Sequence, residues 1–271
     1  MAAGFDITDI HSHLLPGLDD GASSMDESLR MCELYVAQGV ATVVATPHMG
    51  DPRFAVTPDD VREGVQELSS ACRRRGLELE ILPGGDVRLE PELLSALDKG
   101  ELLTLADTGK YLLLELPLQT APRIEAFIFQ LSVRGITPVL SHPERNMELW
   151  RKPHRLAEFV TQGCLVQITA ESLLGGFGAV VRQAGERFLR AGLVHVVASD
   201  AHSARGRAPE LRRTAEVLTS MMGEEKAREV LQSNPADIAR GEPLSSATAG
   251  AGESAPSTTR IRGGAPYTGS E

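Results

Sequence analysis

The chain has 271 residues, enough for one large core, and its 27 Lys and Arg against 37 Asp and Glu give a formal charge of −10. That balance excludes a general electrostatic footprint for nucleic acid or anionic lipid. The N-terminal MAAGFDITDIHSH has no basic stretch followed by an apolar run, and no later stretch approaches the roughly 18 apolar residues of a membrane span, so the expectation is a cytoplasmic protein without membrane insertion.

In chain order, a first apolar run, Phe5 to Ile10, ends in His11-Ser12-His13, with Asp19-Asp20 soon after. Ser24 and Glu27 form a capping box before the helical LRMCELYVAQ, which Gly39 stops. Val40 to Ala45 leads into Thr46-Pro47-His48, and Thr57, Pro58 and Asp60 open a helix that Gly76 closes. Leu77 to Leu82 leads to Asp86, and a helix over Pro91 to Lys99 follows. Tyr111 to Leu114 ends at Glu115, and a helix covers Arg123 to Arg134. Thr137 to Leu140 ends in Ser141-His142-Pro143-Glu144-Arg145, before a helix over Pro153 to Gln162. Leu165 to Ile168 precedes a helix over Val180 to Ala191, and Val194 to Ala198 ends in Ser199-Asp200-Ala201-His202. Helices over Pro209 to Met222 and Glu224 to Gln232 complete the pattern. Seven short runs alternating with helices predict a parallel sheet with helices outside it. Residues 1–243 read as one domain; 244–271, rich in Ser, Thr, Ala, Gly and Pro, read as a disordered tail. The three cysteines, Cys32, Cys72 and Cys164, are odd in number and widely spaced, which predicts reduced core thiols.

Six of the seven runs deliver a metal-ligand residue type at the same end. In a parallel β/α barrel those ends share one face, where active sites are built. A single His after a strand is most simply a loop or core residue. The set is different, because desolvated ligands of this kind packed together are costly unless cations neutralise them. His-x-His at a strand end also puts two imidazoles on one side, since residues two apart share a face. His154 and His195 stay outside the set. Imidazole and carboxylate without thiolate suit Mn, Zn or Fe alike, and nine ligands at three or four per ion imply two or three ions, with Glu115 bridging. Such ions lower the pKa of bound water from about 15.7 to about 7, so the implied chemistry is metal-assisted hydrolysis. Arg145, three residues past His142, and Arg207, five past His202, are forked donors for an anion such as phosphate. No Cys has Arg six positions later, which excludes the thiolate phosphatase loop, and the Gly-x4-Gly-Lys-Ser/Thr nucleotide loop is missing.

The segments DIHSHLLPGLDDGA, ATPH, ILPGGDVRL, YLLLELP, GITPVLSHPERN and LVHVVASDAHSARGRAP, in this order over roughly residues 6–240, resemble the polymerase-and-histidinol-phosphatase (PHP) superfamily. Within it the chain is similar to the bacterial metal-dependent tyrosine phosphatases encoded with capsular and exopolysaccharide synthesis genes. The resemblance implies an α/β chain forming a distorted (β/α)7 TIM-like barrel, the PHP fold. It implies a trinuclear site held by His11, His13, Asp20, His48, Asp86, Glu115, His142, Asp200 and His202, with Arg145 and Arg207 on the phosphate. The implied substrate is the phosphotyrosine-bearing tail of a partner tyrosine autokinase, hydrolysed by a metal-bridging hydroxide; Mn2+ is the favoured ion, with Zn2+ or Fe2+ as alternatives. A small-molecule phosphoesterase such as a histidinol-phosphate phosphatase, or a non-catalytic metal- and phosphotyrosine-binding regulator, are the competing readings. Two departures stand out. Gly85-Asp86 replaces the family's Gly-x-Glu, which predicts looser coordination, and Met49 replaces a second His found in many relatives, which predicts a change at the pocket rim.

Overall fold

The computed structural model describes residues 6–245; Phe5 of the first predicted run and residues 246–271 of the predicted tail lie outside the described residues. Among the described residues nine strands form: β1 (Ile7–Ser12), β2 (Val40–Ala45), β3 (His48–Met49), β4 (Glu80–Pro83), β5 (Asp86–Arg88), β6 (Tyr111–Glu115), β7 (Thr137–Ser141), β8 (Leu165–Thr169) and β9 (Val196–Ala198). They make a mixed α/β architecture of two sheets, β1-β2-β4 and β3-β5-β6-β7-β8-β9, in which every ladder is parallel.

The sequence predicted one run where the structure has the pairs β2/β3 and β4/β5. Pro47 has no N–H to give a ladder, and the chain steps at Thr46-Pro47 from one sheet to the other. Gly84-Gly85 makes the same step beside it. A Cβ at Gly84 would lie 2.7 Å from Val44 Cγ1, and one at Gly85 2.6 Å from Met49 Sδ, so only glycine allows these close approaches. The second halves then pair in register, His48 opposite Asp86. Backbone bonds also connect the two outer strands' exits, from His13 N to Ala201 O at 2.9 Å and from Asp200 N to His11 O at 2.8 Å.

Helix punctuation follows the sequence with local differences. Thr57 and Asp60 form both halves of a capping box on the helix Pro58–Arg74. Ser24 caps Met25–Ala37 through Glu27 N, but the Glu27 carboxylate turns back to Ser23 rather than Ser24. The last predicted helix runs from Glu224 through a π turn at Glu229–Ser233 into Asn234–Arg240, with Pro235 just past the π turn.

Two apolar clusters fill the molecule. The larger joins helix faces to the outward strand residues. The smaller gathers Ile10, Val44, Leu113, Val139, Val196 and Ala198 from the strands' other faces and is plugged by Leu105, Ile238, Ala239 and Leu244. Leu244 is buried and Ser245 donates its N–H and hydroxyl to Asp237, so these two residues, read from sequence as part of the tail, pack against the last helix. Cys32, Cys72 and Cys164 are buried free thiols.

Candidate metal centre

His11 lies within β1 and His13 just beyond it, and their Nε2 atoms converge to 3.2 Å. Each ring is fixed from behind. His11 Nδ1 meets the buried Gln167 Oε1 of β8 at 2.9 Å, and His13 Nδ1 meets Asp19 Oδ2 at 2.6 Å. Asp19 also accepts bonds from the His48 and Gly21 backbone N–H groups, each at 2.9 Å, so it ties the exits of β1 and β2 together. Gly21 is obligatory there, since a Cβ would fall 2.1 Å from His13 O.

All nine sequence-predicted ligand residues come together. Four overlapping groups have ligand atoms mutually within 4.8 Å: His13, Asp20, His48 and His202; His11, His142 and Asp200; His11, His13 and Asp86; His48, Asp86 and Glu115. Asp20 is the outermost, its carboxylate half exposed, 3.4 Å from His202 Nε2 and 3.5 Å from His48 Nε2. Asp86 is fully buried; it faces His48 Nδ1 at 3.2 Å and His11 Nε2 at 3.7 Å, and neither its oxygens nor that Nδ1 makes a hydrogen bond of good geometry. A buried carboxylate left in this state is strongly unfavourable, and a cation is what resolves it. The donor chemistry therefore fits metal ions, and Asp86 belongs to two of the groups.

Local backbone strain marks the same place. His142 and Asp200 are non-glycine residues at φ 34° and 52°, each a conformation that costs about 1–3 kcal/mol and persists where the surroundings impose it. The left-handed turn at Asp200 brings its Oδ2 to Arg145 Nη1 at 2.6 Å and to Arg207 Nη2 at 2.5 Å. Arg207 Nη2 also donates to Asp200 O at 3.1 Å, while its buried Nε has no partner. The ring of Phe177 covers both guanidiniums, 4.6 Å from that of Arg145 and 5.6 Å from that of Arg207.

The electrostatics separate the residues. Burial works against charge on His13, but Asp19 and Asp200 overcome it and carry its pKa to about 10. Burial, then Asp86 close by, pushes Glu115 up to about 7. Burial and then Arg145 hold His142 well below the usual imidazole range. Asp200 runs the other way: burial opposes its charge, yet His11, His13 and Arg207 keep the carboxyl well below the usual range.

Of the sequence expectations, one location is corrected. Met49 is fully buried in the core against Gly85 rather than at the pocket rim, because it sits in β3 directly beneath the Gly84-Gly85 step. His154 is exposed near the start of its helix; His195 precedes β9, where its Nδ1 accepts the Val166 N–H. Asp19, Gln167 and Phe177 were not picked out as functional residues. Asp19 adjoins a chosen ligand, and only the loop conformation decides which of the two carboxylates turns to His13. Phe177 had a faint signal, a lone aromatic within Gly175-Gly176-Phe177-Gly178.

Because a carboxylate behind a ligating imidazole fixes its tautomer and basicity, Asp19→Ala is expected to weaken metal retention about 10–100-fold. Titration of metal-depleted protein with Mn2+, followed by calorimetry, reads this directly; unchanged affinity would mean Asp19 is only a loop brace.

Residues 7–240 match the family model described as "Capsular polysaccharide synthesis, CpsB/CapC". The chain is 38% identical to tyrosine-protein phosphatase YwqE of Bacillus subtilis (strain 168) over 218 residues, 80% of this chain and 85% of YwqE. It is 30% identical to tyrosine-protein phosphatase CpsB of Streptococcus pneumoniae over 236 residues, 85% of this chain and 97% of CpsB. A chain from the crystal structures of YwqE and CpsB, described as unique metal-dependent tyrosine phosphatases, superposes with a TM-score of 0.84 at 36% identity, covering 88% of this chain and 96% of that one. The lactonase Lmo2620 from Listeria monocytogenes shares the fold alone, with a TM-score of 0.52 at 13% identity over 89% of this chain and 95% of that one.

Proposed function

Because the chain belongs to the CpsB/CapC capsular polysaccharide synthesis family, we propose that it is a metal-dependent phosphotyrosine-protein phosphatase acting in capsule or exopolysaccharide synthesis. The observation that carries the reading is the buried Asp86, without a well-formed hydrogen bond, at the overlap of two groups of ligand atoms. We assign His11, His13, Asp20, His48, Asp86, Glu115, His142, Asp200 and His202 as ligands of two or three ions, with Mn2+ favoured over Zn2+ and Fe2+. The ions, when bound, supply a water-derived nucleophile at neutral pH and a positive field for phosphate oxygens. Arg145 and Arg207 grip the remaining phosphate oxygens and stabilise charge as it develops in line with the leaving phenolate. A phenol has a pKa of about 10 and leaves without a strong general acid.

The physiological substrate in this reading is the phosphotyrosine-bearing tail of a partner autokinase, met in the cytoplasm; no described helix is long and apolar enough to cross a membrane. The reading also takes the two sheets as one distorted (β/α)7 barrel, supported by the backbone bonds between the exits of β1 and β9 and by the single cluster of inward residues. Elemental analysis of purified protein beside an assay on phosphotyrosine peptide and histidinol phosphate tests the function. Bound metal, activity lost with chelator and restored by Mn2+, and a preference for the peptide are expected. A large preference for histidinol phosphate, or peptide binding without phosphate release under any divalent ion, would overturn it.

A further inference from the structure

We propose that Phe177 is a specificity-determining residue of this site, the wall against which the ring of an aryl phosphate rests, so that aryl phosphomonoesters are selected over alkyl ones. This rests on the phosphatase reading above and assigns its selectivity to a residue outside the ligand and arginine set. The loop that carries the ring is built for it. Gly175 and Gly178 stand at φ 89° and 91°, the left-handed region that glycine tolerates, and a Cβ at Gly176 would strike Glu171 Oε1 at 2.3 Å. Gly175 and Gly178 thus allow the chain to turn on either side of one half-buried aromatic side chain.

That side chain lies on Arg145 and Arg207 together, 4.6 and 5.6 Å from their guanidiniums. A ring on a guanidinium face excludes water from the face without blocking the edges, and the N–H groups not already bonded to Asp200, Arg207 Nε among them, are where a phosphate would bind. Phosphate recognition needs only the edges. The ring adds an apolar surface beside them, within reach of whatever group the phosphate ester carries. A phenyl ester gains an aromatic neighbour there, whereas a phosphoserine has a single methylene and no ring to offer. The other half-buried ring at the cluster, Phe54, stacks on His48 itself at 5.7 Å and 9°, so it cannot be changed without disturbing an assigned ligand. Phe177 is therefore the position to test.

The experiment compares Mn2+-loaded wild type, Phe177→Leu and Phe177→Tyr on two peptides of one sequence, bearing phosphotyrosine or phosphoserine. In Phe177→Leu the ratio of kcat/KM for phosphotyrosine to that for phosphoserine is expected to fall about tenfold or more, chiefly through KM for the aryl substrate. Phe177→Tyr keeps the ring and is expected to keep the ratio. If the ratio is unchanged in Phe177→Leu, whether or not both activities drop, the residue only positions the arginines and the inference fails while the phosphatase reading stands. If the wild type releases phosphate from neither peptide, the phosphatase reading itself fails and the inference with it.

Discussion

Asp86→Asn is expected to lower kcat/KM for a phosphotyrosine peptide by about 10³-fold or more, with a matching loss of bound metal and little loss of folded protein. The substitution keeps the shape of a fully buried side chain and removes only its charge. In the folded chain Asp86 faces His48 Nδ1 at 3.2 Å and His11 Nε2 at 3.7 Å, with no hydrogen bond of good geometry to either oxygen. Burial opposes its ionisation, yet the His11 and His48 rings hold the carboxyl well below the usual range. It is therefore a charge kept inside the protein for a cation. Electrostatic stabilisation of the transition state by such ions is worth several kcal/mol, and each 1.36 kcal/mol is a factor of ten, which gives the stated loss. Steady-state kinetics in excess Mn2+, with metal counted on the same sample, decide the matter. A variant with full metal content and near-normal turnover would remove Asp86 from the centre and, with it, the main physical argument for metals.

Much of this site was legible because strand ends are a sequence signal. His11 and His13, Glu115, His142 and Asp200 each follow or finish an apolar run, and a parallel sheet brings such ends to one side whatever the details of its twist. His48 and Asp86 were legible as residues but not as strand partners. Thr46-Pro47 and Gly84-Gly85 read as turns, and only their close mutual packing turns the next two residues into paired strands. The contacts of the arginines were hidden for another reason. Their geometry depends on Asp200 adopting φ 52°, a conformation that no pattern of side-chain types predicts and that the β1 exit imposes through Asp200 N to His11 O. The choice of Asp19 over Asp20 as the partner of His13 is of the same kind, since adjacent carboxylates differ only in the direction the loop gives them.

Arg145→Ala and Arg207→Ala are each expected to reduce kcat by about 10²–10³-fold, the range for removing one preorganised donor aimed at developing charge. The double variant is expected to lose less than the product of the two. Both guanidiniums converge on Asp200 Oδ2, and both lie under Phe177, so each holds the other in place. Removing one also changes what Asp200 feels, because Arg207 is among the charges that keep its carboxyl low after the burial penalty and the two histidines are counted. Lysine is not a substitute. It offers a point charge where the arginine fork supplies parallel N–H groups and a flat face for the phenyl ring above it. Arg145→Lys should therefore resemble Arg145→Ala more than wild type, with metal content unaltered in all four proteins. Kinetics on phosphotyrosine peptide, with inhibition by inorganic phosphate as a measure of anion affinity, separate this account from a structural one. Turnover within about threefold of wild type in either alanine variant would exclude that arginine from the phosphate clamp, since one preorganised donor is worth far more than that.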